Sequence, residues 1–462
     1  MCVEHTEQPR QNKMGIAPML PLIVSMSVPA MFSMLVQALY NIVDSYFVSL
    51  VSEDALTAVS LAFPIQTLLI ALGVGTSIGL NSLVSRRLGE GNRKEADSAA
   101  THGLILGAVN WLIFFVIGAF FSRTFFSSFT SDASIVDMGT EYMSVVCVFS
   151  FGVFLEVNVE KTLQATGNMI MPMVFQLTGA LTNIILDPAF IFGFWIIPAM
   201  GVKGAAVATV IGQILSMIVA LAVLFLRKHE VKIRMRGFRL RWRTIRDIYA
   251  VGIPSIIMQS IGSVMTMGMN AILLSFNTTA VAFFGIYFKV QSFVFMPVFG
   301  LTHGVMPIMG YNFGARNKKR LTSALKIGGV IAFCIMIVGM AVFWICPRQI
   351  LGIFQASDTM LQIGEPALRI ISLCFPAAAL GIIASTLFQA VGSGVSSLII
   401  SLLRQLIILL PCAYLLSMVS LEAVWYAFPV AEVVSLIASL FILWHIYRKR
   451  IRPMEAAGCA AE

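Results

Sequence analysis

Charged residues are scarce in this sequence. Asp, Glu, Lys and Arg make up 11% of the 462 residues, whereas 58% are hydrophobic. Soluble domains carry about 25% charged residues, so the composition excludes an ordinary soluble enzyme. The apolar runs are continuous and lack the period-two alternation of barrel strands, which favours membrane-spanning helices.

The motifs of several chemistries are also absent. The sequence has no GxxxxGK[ST] loop, so nothing predicts ATP-driven pumping, and it has no HExxH. Its seven cysteines form no CxxC pair, which disfavours metal and disulfide roles. We therefore expect no cofactor. A membrane enzyme is the weaker class, as is a channel, which would need rings of polar residues along a pore.

Long apolar segments are what the sequence does contain. A helix needs roughly 20 mainly apolar residues to cross a membrane, and twelve segments meet that length. They lie at about 20–48, 55–81, 98–122, 136–160, 169–192, 204–226, 248–275, 279–304, 323–345, 360–386, 393–416 and 421–446. The sequence predicts an all-α integral membrane protein with twelve spans.

The net charge of +9 comes from basic residues that cluster in a few loops. Because Lys and Arg are retained in cytoplasmic loops, both termini are predicted to be cytoplasmic, in a cell membrane, with no nucleic-acid partner. The predicted parts are an N-terminal segment (1–19), an N-terminal lobe (20–226), a basic linker (227–247), a C-terminal lobe (248–447) and a C-terminal tail (448–462).

An internal repeat relates the two lobes. Pro254 follows Pro29 by 225 positions, and the same offset relates GEGN at 89–92 to GARN at 314–317 and LQATG at 163–167 to FQAVG at 388–392. Each half has an even number of spans, so the halves are parallel repeats. Transporters built from repeats place their substrate path between or within the halves.

Acidic residues inside spans are costly and mark candidate functional sites. At ~1.5 Å per residue, Asp44 and Asp187 both fall in the outer half of the N-terminal lobe. Asn183 shares a helix face with Asp187, and Thr209 enters the sixth span at a similar depth. These oxygens suit Na⁺, or a proton on a desolvated carboxyl; alternatively, the two acids cap helices broken beside Pro188.

Other intramembrane charges have structural interpretations. Arg404 and Glu432 lie at similar depth and are predicted to pair between the last two spans. Glu156 and Glu160 lie near a basic helix end, and we interpret them as solvated.

The sequence resembles the multidrug and toxic compound extrusion family over nearly its whole length. The resemblance rests on PAMFSMLVQALYNIVDSYFV at 29–48, SRRLGEGN at 85–92, LQATGN at 163–168, GIPS at 252–255, PVFGLTHGVMPIMGYNFGARN at 297–317 and FQAVGSG at 388–394. It implies two pseudo-symmetric six-helix lobes that form a V around a central cleft.

Within that family, the sequence is most similar to the branch named after a DNA-damage-inducible protein, whose coupling site lies in the N-terminal lobe. The resemblance implies that Asp44, Asn183, Asp187 and Thr209 bind the coupling ion, either H⁺ or Na⁺. It further implies that Gln37, Tyr40 and the adjacent Asn41 line the substrate cavity. Pro29 is expected to let the first span bend.

The resulting hypothesis is a secondary antiporter that exports amphipathic, often cationic compounds in exchange for H⁺ or Na⁺. Its expected partners are these small molecules and membrane lipid, and it is expected to be a monomer. The alternative within the same superfamily is a flippase or exporter of lipid-linked or other metabolites.

Overall fold

The computed structural model of the chain describes residues 12–194, 198–234, 238–354 and 356–454, without the side chains of residues 44–46, 48, 49, 53 and 56. Most of these residues are helical. The helices are α1 (Lys13–Ile16), α2 (Met19–Ser49), α3 (Glu53–Gly89), α4 (Arg93–Val116), α5 (Ser122–Phe129), α6 (Ala133–Val148), α7 (Phe151–Ala165), α8 (Ile170–Phe192), α9 (Val202–Leu226), α10 (Trp242–Leu274), α11 (Thr278–Gly314), α12 (Lys318–Ile345), α13 (Pro347–Ile353), α14 (Asp358–Ser372), α15 (Phe375–Ala390), α16 (Gly394–Leu402), α17 (Leu410–Ser417), α18 (Leu421–Val424) and α19 (Ala427–Ile446), with π-helical stretches at Ile117–Phe121, Leu403–Leu409 and Tyr447–Ile451.

The helices confirm the predicted spans. Within the described ranges, ten helices or helix runs are long and apolar enough to cross a membrane, and two bent pairs bring the number to twelve. The bent pairs are α6 with α7, at 41°, and α14 with α15, at 47°. They occupy equivalent places in the two repeats, so α2–α9 form an N-terminal lobe and α10–α19 a C-terminal lobe.

Helix caps repeat with the same offset as the sequence motifs. Asn92 begins α4 by accepting a hydrogen bond from the backbone N–H of Glu95, at 3.2 Å, and Asn317 begins α12 in the same way with Arg320, at 3.1 Å. A side-chain oxygen at this position satisfies a backbone donor that the helix leaves free. The repeat therefore sets where helices begin as well as where they kink.

Glycines bring the two lobes into close contact at one end of the molecule. A Cβ atom at Gly89 would overlap the carbonyl oxygen of Tyr311, and a Cβ atom at Gly314 would overlap that of Arg86. Since residues 86 and 311 are themselves 225 positions apart, the internal repeat makes these two contacts equivalent. Only a residue without a side chain lets backbones approach this closely.

This contact explains why α3 and α11 extend beyond their predicted ends at residues 81 and 304. The extended ends of α3 and α11 pack against each other. We call this end of the molecule, which holds the 89–92 and 315–317 turns, the basic end.

The short helix α1 bridges the lobes at the basic end. Asn12 donates to the Thr166 carbonyl oxygen of the N-terminal lobe, at 3.0 Å, and to Glu230 in the linker, at 2.7 Å. From the C-terminal lobe, Arg320 donates to the carbonyl oxygens of Met14 and Ala17, at 3.1 and 2.7 Å. The N-terminal segment thus ties both lobes together where they meet.

Burial affects the one charged side chain of this helix. Partial burial lowers the pKa of the Lys13 ammonium group, and the nearby Glu230 carboxylate opposes that shift.

The predicted pair in the last two spans is confirmed. Arg404 Nη1 lies 3.4 Å from Glu432 Oε1, and the two side chains are 24% and 14% exposed. Glu365 forms an ion pair with Arg348, seventeen residues earlier in the chain. The short helix α13 brings Arg348 back toward α14, which helical spacing alone does not reveal.

We expect Glu432→Gln to destabilise the C-terminal lobe. It leaves the Arg404 guanidinium half-buried without its carboxylate, at a cost of about 1–3 kcal/mol. The thermal unfolding of the purified protein should therefore shift to lower temperature. The control is Glu141→Gln, which breaks an exposed pair with Lys203 and should leave the melting temperature unchanged; equal melting temperatures for both variants would refute the role of the buried pair.

Candidate polar site in the N-terminal lobe

Small residues bring α8 and α9 close enough to share polar side chains. A Cβ atom at Gly212 of α9 would lie 2.7 Å from the Gly179 carbonyl oxygen of α8 and 3.5 Å from the Asn183 Cβ. Close backbone approach of this kind is typical of membrane helix pairs. It places residue 209, one turn before Gly212, against residue 183.

Three of the four predicted ion-site residues meet at this crossing. Asn183 Nδ2 donates to Asp187 Oδ1 at 3.2 Å and to Thr209 Oγ1 at 3.1 Å. Asp187 is fully buried and Asn183 is 2% exposed. A buried carboxylate needs hydrogen bonds to offset its lost hydration, and the Asn183 amide supplies one from the same helix face.

Pro188 shapes the backbone beside the acid. It lies inside α8 and has no N–H to donate to the carbonyl of Ile184, four residues earlier. The helix nevertheless continues to Phe192. The alternative in which Asp187 caps a broken helix is therefore wrong, because α8 does not end there.

The fourth predicted residue, Asp44, lies in α2, but its side chain is outside the described part of the structure. Its helix runs beside α8 at this level. The ring of Phe47, one turn after Asp44, contacts the ring of Phe192 edge-on, with centroids 6.4 Å apart. The backbone thus carries Asp44 alongside α8, the helix that holds Asp187.

The polar atoms of this site could bind either a proton or Na⁺. Asn183 Oδ1 is buried and has no hydrogen-bond partner among the described residues, while its Nδ2 faces the carboxylate. Rotating the amide by half a turn would present its oxygen, next to those of Asp187 and Thr209, to Na⁺. In the observed orientation the amide donates to Asp187, whose carboxyl can bind a proton. In the rotated orientation the oxygens of Asn183, Asp187 and Thr209 can together bind Na⁺.

The residues expected to line the substrate cavity lie on the outer half of α2. Gln37 Nε2 is 3.4 Å from Asn41 Oδ1 on the next turn, Asn41 is exposed, and Tyr40 is half-buried. In the inner half of α2, Gly300 of the C-terminal lobe packs closely on Met31. The three predicted cavity residues lie outward of this contact.

Pro29 lies two residues before Met31 in the same helix. The helix α2 continues through it from Met19 to Ser49, and the Ser33 hydroxyl donates to the Pro29 carbonyl oxygen at 3.0 Å. Because Pro29 cannot donate to the carbonyl of Ser25, the helix is weakened next to its contact with Gly300.

The interpretation of Glu156 and Glu160 as solvated helix ends is wrong. They are 7% and 2% exposed, and the adjacent Lys161 is 4% exposed. The bend between α6 and α7 turns this charged face into the lobe. The position of these residues near the end of a predicted span therefore does not indicate their burial. Sequence reasoning missed this cluster, although the 156, 160 spacing on one helix face was a usable signal.

Two six-span lobes in contact at one end, with a polar site buried inside one of them, define a multi-pass membrane transporter. The sequence profile of the family described as MatE matches residues 29–189 and 254–415. The two matches begin at Pro29 and Pro254 and so reproduce the internal repeat. The chain belongs to the MatE family; it is a transporter and not an enzyme.

Curated relatives match the chain almost end to end. The multidrug export protein MepA of Staphylococcus aureus (strain bovine RF122 / ET3-1) is 23% identical over 429 residues, 93% of this chain and 94% of the relative. MepA of Staphylococcus haemolyticus (strain JCSC1435) is 25% identical over 433 residues, with the same coverage of both chains.

Solved structures share the fold. A multidrug resistance MATE family transporter of the MOP superfamily, in an outward-facing conformation, is 27% identical with a TM-score of 0.89, covering 97% of this chain and 100% of its own. A MOP superfamily transporter from Pyrococcus furiosus is 26% identical, also with a TM-score of 0.89, covering 97% and 99%.

Proposed function

We propose that this chain is a secondary antiporter that exports amphipathic, often cationic compounds in exchange for H⁺ or Na⁺. The observation that carries the proposal is the hydrogen-bonded group of Asn183, Asp187 and Thr209, buried inside one lobe. Relatives named as multidrug export proteins support the direction and the kind of substrate. The basic end faces the cytoplasm, because Lys and Arg concentrate there.

The conformation supports this direction of transport. The lobes meet at the basic end through Gly89 and Gly314, and the predicted cavity residues of α2 lie outward of the Met31–Gly300 contact. The similar structure solved in an outward-facing conformation agrees with this arrangement. A substrate that reaches Gln37, Tyr40 and Asn41 in this state can exchange with the outside.

Coupling follows if ion occupancy changes the relative stability of the two facing states. Asp44 and Asp187 lie on helices α2 and α8, and α2 also packs on α11 of the other lobe through Met31 and Gly300. A change of charge between α2 and α8 therefore acts on a helix that contacts both lobes. The weakened turn at Pro29 lies next to that contact, on the side away from the ion site.

The simplest test is the accumulation of a lipophilic cationic dye such as ethidium in bacteria that lack their own exporters. Expression of the chain should lower dye accumulation, and an uncoupler or removal of Na⁺ should restore it, depending on the ion. Unchanged accumulation for a panel of cationic dyes would contradict the proposal, as would export that persists after both gradients are collapsed. Selective efflux of lipid-linked compounds would instead support a flippase.

A further inference from the structure

A second group of charges lies inside the N-terminal lobe, between the polar site and the basic end. Glu156, Glu160 and Lys161 are all more than nine-tenths buried on α7. Glu156 lies nine residues before the helix end at Ala165, or ~13.5 Å at 1.5 Å per residue. These residues are distinct from those of the proposed antiport site, which lie on α2, α8 and α9.

The hydrogen bonds of this group leave no donor unused. Lys161 Nζ contacts Glu160 Oε1 at 2.9 Å, Gln164 Oε1 at 3.0 Å and His303 Nδ1 at 3.5 Å. An ammonium group has three hydrogens, so all three are engaged. Glu160 also accepts from Gln164 Nε2 at 2.7 Å and from Gln176 Nε2 at 3.0 Å.

Glu156 lacks a donor in this group. Its Oε1 is buried and has no hydrogen-bond partner among the described residues. Its carboxyl lies against the Ser216 hydroxyl, but that hydroxyl donates its hydrogen to the Phe175 carbonyl oxygen at 2.8 Å. In an ionised Glu156, Oε1 would thus be a buried charged atom without a hydrogen bond, which is unfavourable.

The charges are also unbalanced. Two carboxylates, Glu156 and Glu160, face a single ammonium group, and His303 is neutral at Nδ1 if it accepts from Lys161. Adding one positive charge would neutralise the group. The ammonium of Lys161 already occupies the space beside Glu160 where a metal ion would bind, so a proton is the cation that fits.

We propose that Glu156 and Glu160 form a second proton-binding site. It binds a single proton, because the ammonium group of Lys161 already balances the charge of one of the two carboxylates. The proton resides on Glu156 as a carboxylic O–H and donates to Ser216 Oγ, while Glu160 stays ionised against Lys161. Among the described residues, the titratable groups in contact with the site are the three on α7 and His303 on α11. The neutral Asn81, Gln176 and Ser216 face it from α3, α8 and α9.

The site is placed to release its proton at the basic end. His303 belongs to the C-terminal lobe, so its contact with Lys161 crosses the interface between lobes. Separation of the lobes at the basic end breaks this contact and admits water to the group. The proton then leaves Glu156 for that water, and closure of the lobes requires it to return.

The test uses the full-length protein in lipid nanodiscs, in an Asp44→Asn/Asp187→Asn background that removes the proposed antiport acids. Infrared difference spectra between neutral and alkaline pH report the C=O stretch of a protonated carboxyl. Exposed carboxylates are ionised throughout this range, and Glu432 is paired with Arg404. We expect one titrating carboxyl band in the background protein.

Two variants assign that band. Glu156→Gln removes the proton-bearing group, and Glu160→Gln leaves Glu156 to pair with Lys161 without a proton, so each should abolish the band. The exposed-acid control Asp137→Asn should retain it. Absence of the band from the background protein, or its persistence in either variant, would overturn the proposal; because the background lacks both antiport acids, that outcome would not depend on the proposed function.

Discussion

Asp187→Asn is expected to reach the membrane in folded form and to lose export, so that dye accumulation returns to the level of cells without the protein. The amide keeps the shape of the side chain but binds neither a proton nor Na⁺ with useful strength. Asp187 is fully buried, and removing a buried charge does not require stability to fall. We therefore expect a melting temperature equal to or above that of the wild type.

The matched control for this variant is Asp137→Asn. It makes the same chemical change in the same lobe, but at a carboxylate that is 62% exposed and pairs with Arg123 at the surface. Its export should equal that of the wild type. Full export by folded Asp187→Asn would remove this acid from the mechanism.

Gly89→Ala is expected to open the basic end and to stop export. A Cβ atom there would overlap the Tyr311 carbonyl oxygen, and a backbone atom cannot move aside as a side chain can. The variant should fold, because the strain exists only while the lobes are in contact. Transport needs both facing states, so a protein that cannot close the basic end cannot complete its cycle.

The opening can be measured at Ser82, whose hydroxyl donates across the lobe interface to the Gln389 carbonyl oxygen, at 2.6 Å. A Ser82→Cys reporter, in a protein without its native cysteines, should react with a membrane-impermeant maleimide much faster when Gly89→Ala is present. Gly381→Ala is the control, since a Cβ atom there has nothing within 4 Å. Equal labelling of both variants would show that Gly89 does not limit closure.

Much of the architecture could be predicted because membrane spans are read from continuous apolar segments and the repeat from a constant offset. The sequence alone did not show that a helix continues through polar residues beyond its apolar segment. The residues that lead up to Gly89 look like a loop, yet they remain helical because they pack on α11. The bend after Val148 was also missed, since apolar residues continue on both sides of it.

The site was predicted for the residues whose spacing along a single helix fixes their relation. Asn183 and Asp187 share a face of α8, and the structure brings Thr209 to them as expected; the side chain of Asp44 is outside the described residues. The environment of Glu156 could not be predicted, because it depends on how α7 turns against α8 and α9.

The two lobes share a scaffold but not a polar site. The positions 225 residues after Asn183 and Asp187 are Ile408 and Cys412, and the position after Asp44 is Met269, which is fully buried in the core of the C-terminal lobe. We infer that the N-terminal lobe binds the coupling ion and that the C-terminal lobe moves against it.

Transport by the purified protein in sealed vesicles, under pH and Na⁺ gradients imposed separately, tests the central claim most directly. One of the two gradients should drive uptake of a cationic dye in exchange for the ion, and Asp187→Asn should abolish that gradient-driven uptake while Asp137→Asn retains it. Dye movement that neither gradient alters, or that Asp187→Asn supports as well as the wild type, would contradict the account.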